Sequence, residues 1–287
     1  MFETSFNYKL FYRFQKTMFL CVSKKTKMSI KTILSASNLS IGYTSKKAKN
    51  IIASTINLTL EKGKLITLIG ANGIGKSTLL RTLTGIQKPI SGTIFLNEKN
   101  IHKMDSLTLA QKLSVVLTEK LPPSNLSVWE LIALGRQPYT NWIGTLTNSD
   151  IAKVNQAIAL TQIEHLISKK HYEISDGQLQ IVLISRALAQ DTPLIVLDEP
   201  TTHLDLSHKV VLFKLLKKLT QETEKCILFS THDIDMAIQL SDEMIIMTPE
   251  NTIQDQPCNL ILKGSFNTLF KDENIVFDSK KGKFVIT

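Results

Sequence analysis

One eight-residue stretch, Gly70–Ser77, constrains this chain more than any other part of it. It reads Gly-Ala-Asn-Gly-Ile-Gly-Lys-Ser and fits the pattern G-x-x-x-x-G-K-[ST]. The segment before it, Lys64–Ile69, is short, apolar and rich in β-branched residues, which predicts a buried strand. Residues 77–83 follow with a pattern that predicts the opening of a helix. Because strand, glycine-rich loop and helix stand in the order that the pattern requires, the chain is predicted to contain a phosphate-binding loop.

The chemistry of such a loop suggests a role for each of its side chains. Glycines allow successive backbone N–H groups to point at phosphate oxygens, and the N-terminus of the following helix adds partial positive charge. Lys76 is expected to reach the β- and γ-phosphates, and the Ser77 hydroxyl is expected to hold Mg²⁺. The positions expected to touch the nucleotide are Asn72, Gly73, Gly75, Lys76, Ser77 and Thr78. The sequence thus predicts that a nucleoside triphosphate binds here together with Mg²⁺.

A second predicted strand delivers two acids. Leu194–Leu197 is a four-residue apolar run that ends directly before Asp198 and Glu199. In open α/β sheets, ligands bind at the carboxyl edge of the strands. Asp198 is therefore expected to hold Mg²⁺, through water, and Glu199 to act as general base on the attacking water. A further apolar run, residues 227–230, leads to His232, which is expected to contact the γ-phosphate.

A third motif identifies a family. The segment Ile174–Gln178, Ile-Ser-Asp-Gly-Gln, opens a predicted helix that runs to Gln190, shortly before Asp198. Together with the phosphate-binding loop and the acid pair, it resembles the ABC-type ATPases, which are nucleotide-binding subunits of transporters, over roughly residues 34–248. The resemblance implies an α/β P-loop NTPase fold with a mixed-sheet core, an antiparallel β subdomain and an inserted helical subdomain. It also implies ATP hydrolysis with Mg²⁺ and a homodimer that holds two ATP molecules between its subunits.

The resemblance also implies roles for residues outside the loop. Ser175, Gly177 and Gln178 match the signature that contacts the γ-phosphate of ATP bound to the other subunit. Tyr43 matches the aromatic residue that stacks on adenine. Asp205 matches the D-loop acid that helps to couple the two sites.

Two positions depart from the family pattern. Thr118 stands where the family normally has the glutamine of the Q-loop. A threonine can still coordinate Mg²⁺ or a water molecule, but its side chain is shorter. Asp176 replaces a glycine of the usual signature and adds a carboxylate near an incoming triphosphate. We expect this carboxylate to point away or to pair with a cation, because like charges repel strongly at short range.

A segment between the loop and the signature narrows the resemblance. Glu130–Tyr139 contains Leu-Gly-Arg-Gln-Pro-Tyr, and Trp142 is nearby. This region is similar to that of importer ATPases for iron-siderophore, haem and cobalamin. The resemblance implies a separate integral membrane permease that docks on the helical subdomain, an extracytoplasmic substrate-binding protein that acts indirectly, and a peripheral position on the cytoplasmic face of the plasma membrane. The alternative is ordinary packing around a proline turn.

The sequence also suggests how the chain is divided. Residues 28–248 are expected to form the ATPase domain, with the helical subdomain over about 98–180, and residues 249–287 to form a small appendage. Within the helical subdomain, a helix is predicted over 151–160 with Asp150 as its N-cap. Residues 1–27 hold six basic residues against one acid, and they are either a basic aromatic extension or, if Met28 is the start, an untranslated stretch.

Charge and cysteine content bear on the rival interpretations. The 34 Lys and Arg residues exceed the 25 Asp and Glu residues, which gives a net charge of +9. The basic extension leaves open a non-transport ABC ATPase that clamps a soluble assembly or a nucleic acid. We expect no nucleic-acid partner, because more than half of the excess charge lies in residues 1–27. No N-K-x-D guanine motif is present, which disfavours a GTPase.

The three cysteines, Cys21, Cys226 and Cys258, are too widely spaced for a disulfide framework. Cys226 begins an apolar run, so a reduced core thiol is expected there.

Overall fold

The computed structural model describes residues 31–44, 48–118, 124–202, 204–269, 275–279 and 281–286. The expectations for the extension 1–27 lie outside these residues. No helix in the described part of the chain is long and apolar enough to cross a membrane.

A six-stranded sheet forms the centre of the fold. Its strands lie in the order β10-β9-β3-β8-β7-β6, and all neighbours are parallel except the antiparallel β9–β10 pair. Because its central strands are buried on both faces, their sequences are continuous apolar runs rather than alternating ones. The strands are β3 (Leu65–Gly70), β6 (Leu113–Val116), β7 (Leu194–Leu197), β8 (Cys226–Ser230), β9 (Glu243–Met247) and β10 (Thr252–Asp255).

A second, antiparallel sheet covers one face of this centre. It has the strand order β2-β1-β4-β5 and comprises β1 (Thr32–Thr44), β2 (Lys49–Glu61), β4 (Ser91–Leu96) and β5 (Lys99–Asn100). Side chains alternate across β3: Ile66 and Leu68 pack in the hydrophobic cluster shared with this sheet, whereas Leu65 and Ile69 belong to the cluster on the helical side. Two distinct cores therefore lie on the two faces of the central sheet.

Eight α-helices complete the described structure. Helix α1 (Lys76–Leu83) packs in the core shared with the antiparallel sheet, and the opposite core contains α3, α4, α5 and α6. The remaining bounds are α2 (Ser106–Ala110), α3 (Val128–Ala133), α4 (Asn148–Thr161), α5 (Asp176–Ala189), α6 (Leu206–Thr223), α7 (Ile234–Leu240) and α8 (Pro257–Leu262), with 3-10 segments at Ile101–Lys103, Leu134–Tyr139, Glu164–Leu166, His171–Glu173 and Ser265–Thr268.

The start of α4 differs from the prediction. Thr147, not Asp150, is the N-cap, and its hydroxyl accepts the N–H of Asp150 at 3.2 Å. Asp150 occupies the third helical position and accepts the backbone N–H of Thr147 at 2.9 Å, which completes a capping box. The predicted limits of the helical region also differ, because residues 98–180 include β5 and β6 and end inside α5.

The C-terminal segment is part of the main core. The division expected after residue 248 falls inside the β9–β10 hairpin, so the segment begins within the central sheet. The short strands β11 (Ile275–Asp278) and β12 (Lys283–Ile286) then form a hairpin. Phe266 and Phe277 stack with ring centroids 4.7 Å apart and belong to the same hydrophobic cluster as the helical side of the sheet.

Candidate nucleotide-binding site

The glycine-rich loop connects β3 to α1 in a backbone conformation that needs glycine. Gly73 and Gly75 have φ values of +75° and +108°. A Cβ on Gly75 would also lie 2.5 Å from Cγ2 of Ile52. Gly75 is the N-cap of α1 and brings no side chain to cap it, and the first turn of the helix contains no acid. The helix therefore presents an uncapped, positively polarised N-terminus, which is what a phosphate group requires.

Lys76 is folded back onto the loop that it follows. Its Nζ donates to the backbone oxygens of Gly70 at 3.0 Å and Ala71 at 3.2 Å. Burial lowers the pKa of Lys76, and the charges of Glu199 and Asp198 act in the opposite direction. The neighbouring Ser77 is exposed. Among the described residues, this buried ammonium is held by carbonyl oxygens and a carboxylate 4.0 Å away, and it can exchange these partners for phosphate oxygens.

The predicted acid pair lies at the same edge of the central sheet. Strands β3, β8, β7 and β6 are parallel neighbours, so the residues that follow them meet there. Asp198 is buried, and its Oδ1 accepts the hydroxyl of Ser230 at 2.8 Å. The same hydroxyl oxygen accepts the backbone N–H of Glu199 at 2.8 Å. Ser230 thus holds both acids from the neighbouring strand. The sequence alone does not indicate this role, because a lone serine at a strand end is not distinctive until the strand pairing is known.

Glu199 contacts residues from three parts of the site. Its Oε1 lies 2.8 Å from Nε2 of His232 and 4.0 Å from Nζ of Lys76, and its Oε2 accepts the hydroxyl of Thr202 at 3.2 Å. Its φ of +47° is in the left-handed region, which costs a non-glycine residue about 1 kcal/mol or more. The backbone of Glu199 is therefore strained where its carboxylate turns toward His232 and the phosphate-binding loop.

Tyr43 contacts the helix that follows the loop. Its hydroxyl is 3.1 Å from Oγ1 of Thr78, in the first turn of α1, while 56% of the residue is exposed. Thr118 follows β6 at the carboxyl edge of the sheet and is exposed. Both residues are therefore exposed to solvent.

The signature residues lie at the start of α5. Ser175 is the N-cap: its Oγ accepts the N–H of Gln178 at 3.3 Å, and Oε1 of Gln178 accepts the N–H of Ser175 at 3.1 Å. A Cβ on Gly177 would lie 3.4 Å from Leu204 and from His208, near the start of α6. Within the described part of the chain, no hydrogen bond or ion pair joins these residues to the phosphate-binding loop, and Asp176 is exposed.

Asp205 caps α6. Its Oδ1 accepts the backbone N–H of His208 at 2.9 Å, the Ser207 hydroxyl at 2.8 Å and Nδ1 of His208 at 2.8 Å. The His208 N–H is the largest of the interactions that lower the pKa of Asp205 to about 2. The charged form therefore fixes the start of α6, next to Gly177.

Comparison with known proteins gives the family. Residues 53–202 match the family described as ABC transporter. The iron(3+)-hydroxamate import ATP-binding protein FhuC of Bacillus subtilis is 37% identical over 222 residues, which are 77% of this chain and 81% of FhuC. A solved inward-facing structure of a metal-chelate type ABC transporter aligns with a TM-score of 0.73 and 28% identity over 84% of this chain and 89% of its own.

A second solved structure concerns the assembled state. It is a dimeric, post-hydrolysis ATP-binding cassette with bound ADP and Pi, with a TM-score of 0.67 and 25% identity over 78% of this chain and 99% of its own. The ABC ATPase fold expected from the sequence is confirmed by these structures. This chain belongs to the ABC transporter family and is one of its ATP-binding, ATP-hydrolysing subunits.

Proposed function

We propose that this chain powers the import of a metal chelate, such as an iron-siderophore, haem or cobalamin, through a separate membrane permease. The similarity to a hydroxamate importer subunit and to a metal-chelate transporter supports this class of cargo. In this proposal the chain sits peripherally on the cytoplasmic face of the plasma membrane. An extracytoplasmic binding protein delivers the cargo to the permease, and no nucleic acid takes part.

The separation between the loop and the signature supports the assembly that this proposal requires, a head-to-tail dimer. Lys76, Asp198, Glu199 and His232 converge at one edge of the sheet, whereas Ser175 caps a helix that, among the described residues, makes no hydrogen bond to them. A triphosphate bound by Lys76 would therefore be contacted from one side, by the uncapped N–H groups of α1. Its other side would still need a partner. Two copies arranged head to tail would supply Ser175, Gly177 and Gln178 of one chain to the triphosphate of the other, with the Asp205 loop close to the junction.

Within that arrangement, Glu199 activates the attacking water. Its carboxylate accepts a proton from the water while the oxygen attacks the γ-phosphorus, and ADP leaves. His232, whose Nε2 is 2.8 Å from Oε1 of Glu199, would orient the carboxylate and contact the γ-phosphate. Lys76 moves from its carbonyl partners to the β- and γ-phosphates and stabilises the charge that develops there.

The residues at the loop edge fit Mg²⁺. Asp198 and the exposed Ser77 offer oxygen ligands, and Mg²⁺ prefers oxygen and keeps several waters. Asp198, through water, together with Ser77 and Thr118 would hold the ion, which supplies charge neutralisation of the phosphates. Tyr43 would stack on adenine, and the remaining loop positions, Asn72, Gly73, Gly75 and Thr78, would contact the phosphates.

Exposed residues in and after the Leu134–Tyr139 segment offer a place for the permease. Leu134, Tyr139 and Ile143 are partly exposed, and Trp142 is 94% exposed. Large apolar side chains in water favour burial against a partner. We expect a cytoplasmic helix of the permease to cover them.

The test is reconstitution with a metal-chelate permease and its binding protein in liposomes. We expect the chain to co-purify with the permease, and cargo-loaded binding protein to stimulate ATP hydrolysis. Lys76→Ala should abolish hydrolysis, because it removes the cation that holds the β- and γ-phosphates. The importer proposal fails if the chain hydrolyses ATP but neither binds the permease nor responds to cargo. The site assignment fails if Lys76→Ala hydrolyses ATP as fast as the parent.

A further inference from the structure

The Leu134–Tyr139 segment lies directly against the end of the signature helix α5. A Cβ on Gly135 would be 2.2 Å from the backbone oxygen of Arg186 and 3.3 Å from the Ala189 side chain. Backbone oxygen cannot move away as a flexible side chain can, so only glycine allows this approach. The segment and the last turn of α5 are consequently in backbone contact.

Arg136 joins two helices at this point. Its Nε donates to Oδ1 of Asp150, in the first turn of α4, at 2.9 Å, and its NH1 donates to the oxygen of Ala189, the last residue of α5, at 2.8 Å. The Arg136 and Asp150 side chains are only 7% and 4% exposed. The Tyr139 ring covers the guanidinium, with its centroid 3.9 Å from Cζ.

Both partners suit a buried cation. The last carbonyl groups of a helix receive no hydrogen bond from an N–H group of the same helix, and they carry partial negative charge. Asp150 is fixed by the capping box of Thr147, so its free oxygen points in a set direction. Hydrogen bonds between charged groups are short and strongly directional, and a guanidinium makes several of them in a fixed plane. Arg136 thus sets the position of the end of α5 relative to the start of α4.

The opposite end of α5 carries the signature. With 14 residues and a rise of about 1.5 Å each, the helix is about 21 Å long. A tilt of about 5° at the held end would displace Ser175 by about 2 Å, which is enough to lose a hydrogen bond to a phosphate in another subunit. The phosphate-binding loop of the same chain lies between β3 and α1, and neither hydrogen bond of Arg136 leads to these elements.

We infer that Arg136 is a positioning residue for the signature: by joining Asp150 to the end of α5, it aligns Ser175–Gln178 with the nucleotide of the partner copy. This rests on the proposed function, in which the signature acts across the dimer. Gly135 and Arg136, which lie in the importer-like segment Glu130–Tyr139, thus make their contacts inside the subunit.

The experiment uses the full chain with Glu199→Gln, which blocks hydrolysis and preserves ATP-driven pairing. Arg136→Lys keeps the charge and one hydrogen bond, and Arg136→Met with Asp150→Asn removes both charges without leaving one unpaired. For each variant, thermal unfolding verifies that the chain is folded, and nucleotide titration measures the ATP affinity of the monomer. Sedimentation in the presence of ATP and Mg²⁺ measures the pairing of two chains into a dimer.

The expected result is a graded loss of pairing. Arg136→Lys should weaken ATP-driven pairing about tenfold, and the double change more, because charged hydrogen bonds are lost. ATP affinity of the monomer should stay within about twofold.

Lys153→Met is the matched control. Lys153 also links α4 to the region after α5, through Asp191 at 2.8 Å, but both side chains are more than a third exposed. Exposed pairs contribute little, so pairing should not change. The inference is overturned if folded Arg136→Lys and the double variant pair as tightly as the parent, or if monomer ATP affinity falls in step with pairing. If the parent itself does not pair, the proposed function fails instead.

Discussion

A single hydroxyl, that of Ser230, links the two acids of the site. It donates to Asp198 and accepts the N–H of Glu199, whose backbone is in the left-handed region. We predict that Ser230→Ala lowers the free energy of unfolding by about 1–3 kcal/mol, because the buried Asp198 carboxylate and the partly buried N–H of Glu199 lose their partner. It should also slow hydrolysis more than it weakens ATP binding, since Glu199 loses its anchor. Urea unfolding and steady-state ATPase assays measure these effects.

A matched control for this prediction lies on β6. The buried Ser114 hydroxyl bonds that of Thr192 at 3.0 Å, away from both acids. Ser114→Ala should cost a similar amount of stability and leave the turnover rate unchanged. Equal losses of activity in the two variants would show that Ser230 acts only through stability.

The contact between Tyr43 and Thr78 separates two roles of the tyrosine. Tyr43→Phe removes the hydroxyl that engages Thr78 and keeps the ring, so ATP affinity should be unchanged or higher. Tyr43→Ala removes the ring and should weaken ATP binding about tenfold, since stacking of a base on an aromatic ring contributes about 1–3 kcal/mol. Titration with a fluorescent ATP analogue compares the two. Equal losses of affinity would argue against stacking.

At the scale of elements, the start of α6 depends on a charge. The pKa of Asp205 is lowered to about 2 from an ordinary value of 3.8, chiefly by the His208 N–H. The charged cap therefore stabilises the fold fully above pH 4, and this contribution is lost as the pH falls toward 2. Asp205→Asn should be less stable than the parent at pH 7, and the difference should shrink between pH 4 and pH 2. Urea unfolding of both proteins at several pH values measures it; a constant difference would contradict the prediction.

The C-terminal segment is expected to contribute to stability. Phe266 is fully buried and stacks on Phe277, so Phe266→Ala should destabilise the chain by about 3–5 kcal/mol. Leu262, on the neighbouring helix α8, is largely exposed, and Leu262→Ala should change stability by less than about 0.5 kcal/mol. Thermal unfolding compares them. If Phe266→Ala unfolds like the parent, the segment is a separable appendage after all.

Local sequence patterns predict the elements that carry the loop and the acids. The other features depend on contacts between residues that are far apart along the chain. The strand before Gly70, the strand before Asp198 and helix α1 follow from short apolar runs next to glycines and acids. The burial of Cys226 in β8 was predicted in the same way and is confirmed, and burial raises the pKa of its thiol. The place of residues 252–255 in the central sheet was missed, because a polar edge strand gives little signal before its partner is known.

The roles of two other residues could not be predicted for a similar reason. The sequence predicts Asp150 as the N-cap of α4, whereas Thr147, three residues earlier, is the N-cap and forms a capping box with Asp150. The segment that contains Arg136 indicates an importer ATPase or packing around a proline turn, but it does not predict the partners of Arg136. These partners, Asp150 and Ala189, are 14 and 53 residues away along the chain. Only the packed structure brings these groups together.

At the scale of the whole molecule, one chain provides half of each proposed catalytic site. The phosphate-binding loop and the acids are assembled, and the signature is on a helix held elsewhere by Arg136. A second copy would bring Ser175 to the bound triphosphate. Closure would then follow ATP binding and opening would follow hydrolysis, which is how an ATPase can drive a permease.

The most direct test is the mass of the Glu199→Gln chain in solution. Sedimentation equilibrium in ATP and Mg²⁺ should give a dimer, and ADP should return it to a monomer, because the γ-phosphate joins the two chains. Adding Ser175→Arg should keep ATP binding and abolish the dimer. A Glu199→Gln chain that stays monomeric when saturated with ATP and Mg²⁺ would contradict the account.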